Sequence, residues 1–239
     1  MPIQQYFSRL KFPFILIAML SVFSACQVDE NPEPTQILEA DVAIAIEGAI
    51  LPNSGGLVSQ IQSTVFKGIS VTALGCNVLK DSTLNQVTDS RNSYSYTWVL
   101  ENKCDLDKFP FELTSILKGN RRYLSAQLSA NEKIETTIYL SGFRNPVNPF
   151  NLSFISETEG SYRAGNDIFD GYVGKISFVG IDINVDKISQ EISSGSVNFL
   201  FSGAAISGRF FNYNGRINFE GNKRATIVFT NGGNYALNW

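Results

Sequence analysis

The chain of 239 residues contains no histidine. Histidine is the usual general base near neutral pH, so its absence excludes Ser-His-Asp and Cys-His nucleophile systems. It also excludes zinc sites built on imidazole ligands. Catalysis by a pair of carboxylates, as in glycosidases, and calcium binding by oxygen ligands remain open.

Basic residues are scarce. None occurs between Lys11 and Lys67, an interval that holds six acidic residues. When Arg9 and Lys11 are set aside, 17 basic residues remain against 22 acidic ones, a net charge of about −5. Binding to nucleic acid relies on clustered Lys and Arg, so the composition argues against a nucleic-acid partner. No motif for a cofactor is present, and none is expected.

The longest uncharged apolar run, residues 12–23 (FPFILIAMLSVF), has about a dozen residues. A helix that crosses a membrane needs roughly 20. Basic residues precede the run, and small residues follow it, which is the layout of a secretory signal. The alternative, a buried helix at the start of a domain, is disfavoured by Pro13 and by the Asp-Glu-Asn-Pro sequence that follows.

Phe23-Ser24-Ala25-Cys26 resembles the lipobox of bacterial lipoproteins, although Phe23 stands where leucine is usual. The resemblance covers only the first 26 or so residues. It implies that residues 1–25 are a signal peptide removed by signal peptidase II, and that Cys26 carries diacylglycerol and an N-acyl chain. Several acyl chains together hold a protein firmly on a membrane. The implied location is the outer membrane, through a lipid anchor.

Residues 26–36 (CQVDENPEPTQ) form an expected acidic tether, because two prolines, three carboxylates and no aromatic residue cannot bury enough surface to fold. An acidic patch just after the lipidated cysteine also resembles the export signal of surface-exposed lipoproteins in some Gram-negative outer membranes. The alternative is a solvated linker. The sequence therefore leaves two locations open for the folded domain, one of which is the cell surface.

Once Cys26 is assigned to lipid, Cys76 and Cys104 remain. Disulfides persist in exported proteins, so one bridge is predicted between them, and two free buried thiols are the alternative. The loop of about 28 residues would stabilise the fold by roughly 3 to 4 kcal/mol in the chain-entropy model. Two cysteines without histidine cannot complete a zinc site.

The composition and the two-residue periodicity predict a mainly β fold, an antiparallel meander or sandwich with a short N-terminal helical element. Residues 37–50 fit a helix slightly better than a strand, and residues 58–66 fit a short helix or a loop. The predicted strands are 69–78, 94–100, 111–117, 123–128, 134–140, 152–155, 172–185, 197–201, 207–213, 216–220, 225–230 and 235–237. Residues 37–239 are interpreted as one β-rich domain, with a candidate internal boundary at the two prolines of 145–149.

Tyr94, Tyr96 and Trp98 share one face of a predicted strand and are candidates for ligand binding, with core packing as the alternative. Arg121-Arg122 is predicted at an exposed hairpin tip. Glu157 and Glu159 point to one face and are interpreted as the solvated end of a hairpin. Residues 166–171 (NDIFDG) resemble a calcium loop only loosely, so a plain turn is predicted and no metal site is expected.

Two functions remain. The first is a membrane-anchored, non-catalytic binding or assembly module for a glycan, an apolar ligand or an envelope protein. The second is an extracytoplasmic hydrolase that uses a carboxylate pair, such as a glycosidase. The missing histidine and the scattered acids favour the module, and no catalytic residue is proposed.

Overall fold

A computed structural model describes residues 37–73, 75–87, 92–164 and 171–239. The predicted signal peptide, Cys26 and the tether lie outside these residues, as does most of the segment 166–171. The lipidation and the calcium-loop interpretation therefore stay as predictions from the sequence.

The described chain begins with two helices and continues as ten strands. Helix α1 spans Glu39–Ile50, a short 3₁₀ turn spans Pro52–Ser54, and α2 spans Leu57–Thr72. The strands are β1 Leu79–Val87, β2 Ser93–Cys104, β3 Pro110–Leu124, β4 Leu128–Ser141, β5 Phe150–Ala164, β6 Gly171–Val185, β7 Ile192–Ala205, β8 Phe210–Gly221, β9 Arg224–Phe229 and β10 Asn234–Asn238. Each strand pairs with the next in one antiparallel sheet. The mainly β prediction with an N-terminal helical element is confirmed, and its form is a meander.

The two faces of the sheet differ because side chains alternate along each strand. On the inner face, Tyr96, Trp98 and Leu100 of β2 are almost completely buried, and the same alternation continues through the later strands. These side chains form one hydrophobic core with α1 and α2. The outer face carries mostly polar and charged side chains. We call the two surfaces the inner and outer faces.

Helix α1 is held against the sheet by tyrosine hydroxyl groups. Tyr213 donates to the carbonyl of Ile37 at 2.8 Å, and Tyr235 donates to the carboxylate of Glu39 at 3.2 Å. The same carboxylate accepts the backbone N–H of Gly233 at 2.7 Å. Burial, and secondly the charge of Glu39, raises the pKa of Tyr213. These contacts fix the start of α1 beside β8 and β10.

Two predicted turns lie inside strands. The Gly119-Asn120 and Asn214-Gly215 pairs, which were predicted to turn the chain, belong to β3 and β8. A Cβ atom at Gly119 would lie 2.5 Å from the ring of Tyr96, and one at Gly215 would lie 2.7 Å from the ring of Phe199. These glycines therefore make room for aromatic rings on the inner face, which is why they are not turns.

Other predicted boundaries change for related reasons. The strand predicted at 69–78 is wrong, because α2 continues to Thr72 and buries Val65, Gly68 and Val71 at helical spacing. The prolines near 145–149 lie in the connection between β4 and β5. The ladder of those two strands runs without a break from Leu128–Ala164 to Ser141–Asn151.

The predicted disulfide joins Cys76 to Cys104 and ties the loop after α2 to the end of β2. Because the bridge closes a loop with a sequence separation of 28, the double change Cys76→Ala with Cys104→Ala should lower the free energy of unfolding by about 3.5 kcal/mol. Urea unfolding measures this. Cys26→Ala, which leaves the bridge intact, is the control. Equal stability of the bridged and unbridged proteins would contradict the prediction.

Candidate functional site

The aromatic row of β2 lies in the core. Tyr94, Tyr96 and Trp98 are 6%, 1% and 0% exposed, and their rings contact one another at centroid distances of 5.1 and 5.7 Å. The Tyr96 hydroxyl donates to the carbonyl of Gly55 at 2.5 Å, and Lys67 of α2 lies over the Trp98 ring at 4.9 Å. The row therefore packs against the helices, which is the core alternative, and offers no ligand surface on this face.

A buried ion pair lies in the same layer. Arg121 of β3 and Glu132 of β4 are register partners and are 3% and 5% exposed. Arg121 Nε donates to Glu132 Oε2 at 2.6 Å. Arg121 was predicted at an exposed hairpin tip, and that prediction is wrong. The signal that could have located it is the two-residue alternation of β3, because Leu117, Arg121 and Tyr123 all lie at odd positions that face inward.

Arg121 also reaches the helical layer. Its Nη1 donates to the carbonyl of Gly48, near the end of α1, and to the hydroxyl of Ser54 at 3.3 Å. The last carbonyls of a helix have no partner within the helix, so the guanidinium satisfies one of them. Burial alone would lower the pKa of Arg121, but the Glu132 carboxylate, together with Tyr96 and Tyr162, more than offsets this effect and the pKa is raised.

A glycine on β5 makes space for the Glu132 side chain. A Cβ atom at Gly160 of β5 would lie 2.7 Å from Glu132 Cγ. Tyr162, also on β5, is buried beside the pair. Burial, and secondly the Glu132 charge, holds the pKa of the Tyr162 hydroxyl well above its usual range. A side chain at position 160 would therefore clash with the backbone of Asn131 and with Glu132.

Further hydrogen bonds extend the polar layer between helix and sheet. Thr136 Oγ1 donates to Gln60 Oε1 at 2.8 Å and lies 2.7 Å from the hydroxyl of Ser156. Gln60 Nε2 in turn donates to the carbonyl of Gly55 at 3.3 Å. The network joins α2 to β4 and β5. Since its members are buried, it orders the fold and does not form a ligand site.

An open groove of about 640 Å³ lies on the outer face, directly behind the ion pair. It crosses β1 to β5 from Asn85 to Glu159. Its central side chains are Ser93, Ser95, Asn120, Arg122, Asn131 and Lys133. The register sets Ser95 opposite Asn120, and Asn120 opposite Lys133. We call this feature the outer groove.

The cations of the outer groove have no ionic partner among the described residues. No described carboxylate lies within 4 Å of a charged nitrogen of Arg122 or Lys133. Glu159 lies opposite Lys133 in the register, but its ionic contact is with Lys175 of β6, at 3.8 Å. The groove thus combines amides and hydroxyls with two cations that are free to meet a ligand.

The two strand carboxylates do not resemble a hydrolase site. Glu157 and Glu159 lie within β5 and not at a hairpin end, which corrects the prediction. Both contact Lys175, at 2.8 and 3.8 Å, and all three side chains are exposed on the open outer face. The same-face prediction is right, but the shared lysine offsets one of the two negative charges.

No group of three or more Cys, Asp or Glu residues in the described part of the chain could hold a metal ion. None of the helices within the described ranges is long and apolar enough to cross a membrane. Comparison with protein-family models, curated proteins and solved structures finds no match to this chain.

The ion pair has a measurable consequence for stability. Glu132→Gln leaves the Arg121 charge buried without its counter-charge and should lower the free energy of unfolding by about 3–5 kcal/mol. Glu135→Gln is the matched control, because Glu135 pairs with Lys118 across the same two strands at 2.6 Å, on the exposed face. Its loss should cost less than about 1 kcal/mol. Chemical denaturation measures both, and equal losses would contradict the assignment.

Proposed function

We propose that this protein is a lipid-anchored, extracytoplasmic binding module that recognises a glycan at the outer groove. Cys26 carries the lipid anchor, and the β-rich domain of residues 37–239 acts by binding and not by catalysis. The single observation that carries the proposal is the outer groove itself. It is a set of exposed amides, hydroxyls and cations, aligned by the register of five strands.

The chemistry of the groove suits a polyhydroxylated ligand. Asn120, Asn131 and the Ser93 hydroxyl can each donate and accept hydrogen bonds. The Ser95 hydroxyl already donates to Asn85 Oδ1, so it can only accept from a ligand. The alkyl stem of Lys133 adds carbon surface beside its charged group, which suits the C–H face of a sugar ring. An apolar ligand would leave these polar groups without partners, at a cost in free energy.

The sheet beneath the groove supports binding by a preformed surface. Each groove strand except β1 is hydrogen-bonded to a neighbour on both sides. The inner face of the sheet packs on the helices. Side chains on such a platform lose little freedom when a ligand binds, which favours affinity. Glu157 and Glu159 share ionic contacts with Lys175 on an open surface, which supports a binding role over carboxylate catalysis.

Acylation is tested in a bacterial host with a fatty-acid probe. The wild-type chain should incorporate the label and fractionate with membranes, because thioether-linked acyl chains at Cys26 would hold it there. Cys26→Ala should lose the label, whereas Cys76→Ala with Cys104→Ala should keep it. An unlabelled wild-type product, or one that retains residues 1–25 by mass spectrometry, would contradict the anchor.

Glycan binding is tested on a mixed glycan array, with the chain that begins at residue 26 and carries Cys26→Ser so that no acyl chain is attached. Asn120→Ala should reduce binding about tenfold, since an unpaired polar contact costs roughly 1–3 kcal/mol. The control is Asn214→Ala, an exposed asparagine on the outer face of β8. Absence of binding to any glycan, or equal effects of the two changes, would count against the groove.

A further inference from the structure

The charge of the outer groove is opposite to that of the chain. The full chain has a net charge of −3, yet the exposed groove side chains include Arg122 and Lys133 against the single acid Glu159. Glu159 is itself in ionic contact with Lys175, which also pairs with Glu157. The local excess of positive charge therefore does not follow from the composition.

The register holds the two cations at a defined spacing. Arg122 of β3 lies opposite Asn131 of β4, and Lys133 is two residues further along the same face of β4. Diagonal neighbours of this kind have backbone positions about 7–8 Å apart. Asn131 adjoins both cations, because it lies opposite Arg122 and two residues from Lys133 along β4. Arg163 lies one row beyond on β5, opposite Ser129. The cations therefore flank an amide, with hydroxyls on the adjoining strands.

From this placement we infer that the ligand of the outer groove is an acidic oligosaccharide, whose carboxylate or sulfate group lies between Arg122 and Lys133. The inference rests on the proposed glycan function and adds the charge class of the ligand. Arg122 presents a planar fork of N–H groups that can donate to both oxygens of an oxyanion, whereas Lys133 acts as a point charge. Asn131 and the neighbouring serines then bind the uncharged hydroxyls.

A protein with positively charged groups on an exposed sheet could instead bind an anionic membrane surface. The groove favours the oligosaccharide because its cations alternate with asparagine and serine, which form directional hydrogen bonds. Attraction to headgroups requires only clustered positive charge. Binding to an anionic membrane is therefore one of the outcomes that the experiment distinguishes.

The experiment measures binding to a panel of uronate, sialylated and sulfated oligosaccharides, each beside its methyl-esterified or desulfated analogue. The protein is the chain from residue 26 with Cys26→Ser. At least one acidic ligand should bind about tenfold or more tightly than its neutral analogue. The difference should shrink in high salt, because exposed charges are screened.

The variants Arg122→Gln and Lys133→Gln should each reduce that preference by about threefold, so that the double change removes it. Arg216→Gln and Lys118→Gln are matched controls on the outer face beyond the groove and should leave it unchanged. Circular dichroism of every variant separates loss of binding from loss of fold.

Each outcome decides the inference. Equal binding of acidic and neutral analogues overturns the anionic ligand but leaves the glycan function in place. Binding to none of the panel overturns the anionic ligand, and the array with neutral glycans then decides the glycan function separately. Binding to vesicles of anionic lipid, without binding to any acidic oligosaccharide, overturns the inference in favour of a membrane surface.

Discussion

The buried Arg121–Glu132 pair is the interaction on which the arrangement of helices and sheet depends. Two charges inside a protein are costly unless each is paired and hydrogen-bonded. Here Arg121 bonds to the carboxylate across the ladder and to Gly48 and Ser54 of the helical layer. Moving the helices away from β3 would leave the guanidinium with unsatisfied donors. The pair therefore specifies one position of the helical hairpin on a sheet whose apolar face alone would tolerate several.

The same pair connects the core to the outer surface. Asn120 and Arg122 flank Arg121 on β3, and Asn131 and Lys133 flank Glu132 on β4. Because successive side chains point to opposite faces, fixing the inward pair also fixes the direction of its four outward neighbours. Those neighbours form the centre of the outer groove. A disturbance of the inner pair should thus reach the groove through the backbone of two strands, without any contact between the pair and a ligand.

Local periodicity in the sequence was enough to predict the fold class, the first helix and the later strand order, because each strand alternates between core and solvent. The prediction from periodicity failed where one residue type suits two different structures, such as a glycine in a turn and a glycine that packs against a ring. Gly119, Gly160 and Gly215 look like turn residues in isolation, yet their partners are a tyrosine ring, a glutamate side chain and a phenylalanine ring on neighbouring strands. Those contacts are long-range and cannot be seen in a window of ten residues. Arg121 was misplaced for the same reason, since a neighbouring glycine had been assigned to a turn.

The outer groove could not be predicted from the sequence, because its members are contributed by five strands and meet only through the register. Its charge also differs from what composition suggests. A net negative body is repelled on average by anionic surfaces, but the potential near a groove depends on the charges that line it and on how well distant charges are screened. At physiological ionic strength the screening length is about 8 Å, comparable to the spacing between diagonal neighbours in the sheet. The electrostatic potential at a ligand in the groove would therefore come chiefly from Arg122 and Lys133. The acidic residues elsewhere set the net charge of the protein, which opposes non-specific attachment to anionic surfaces.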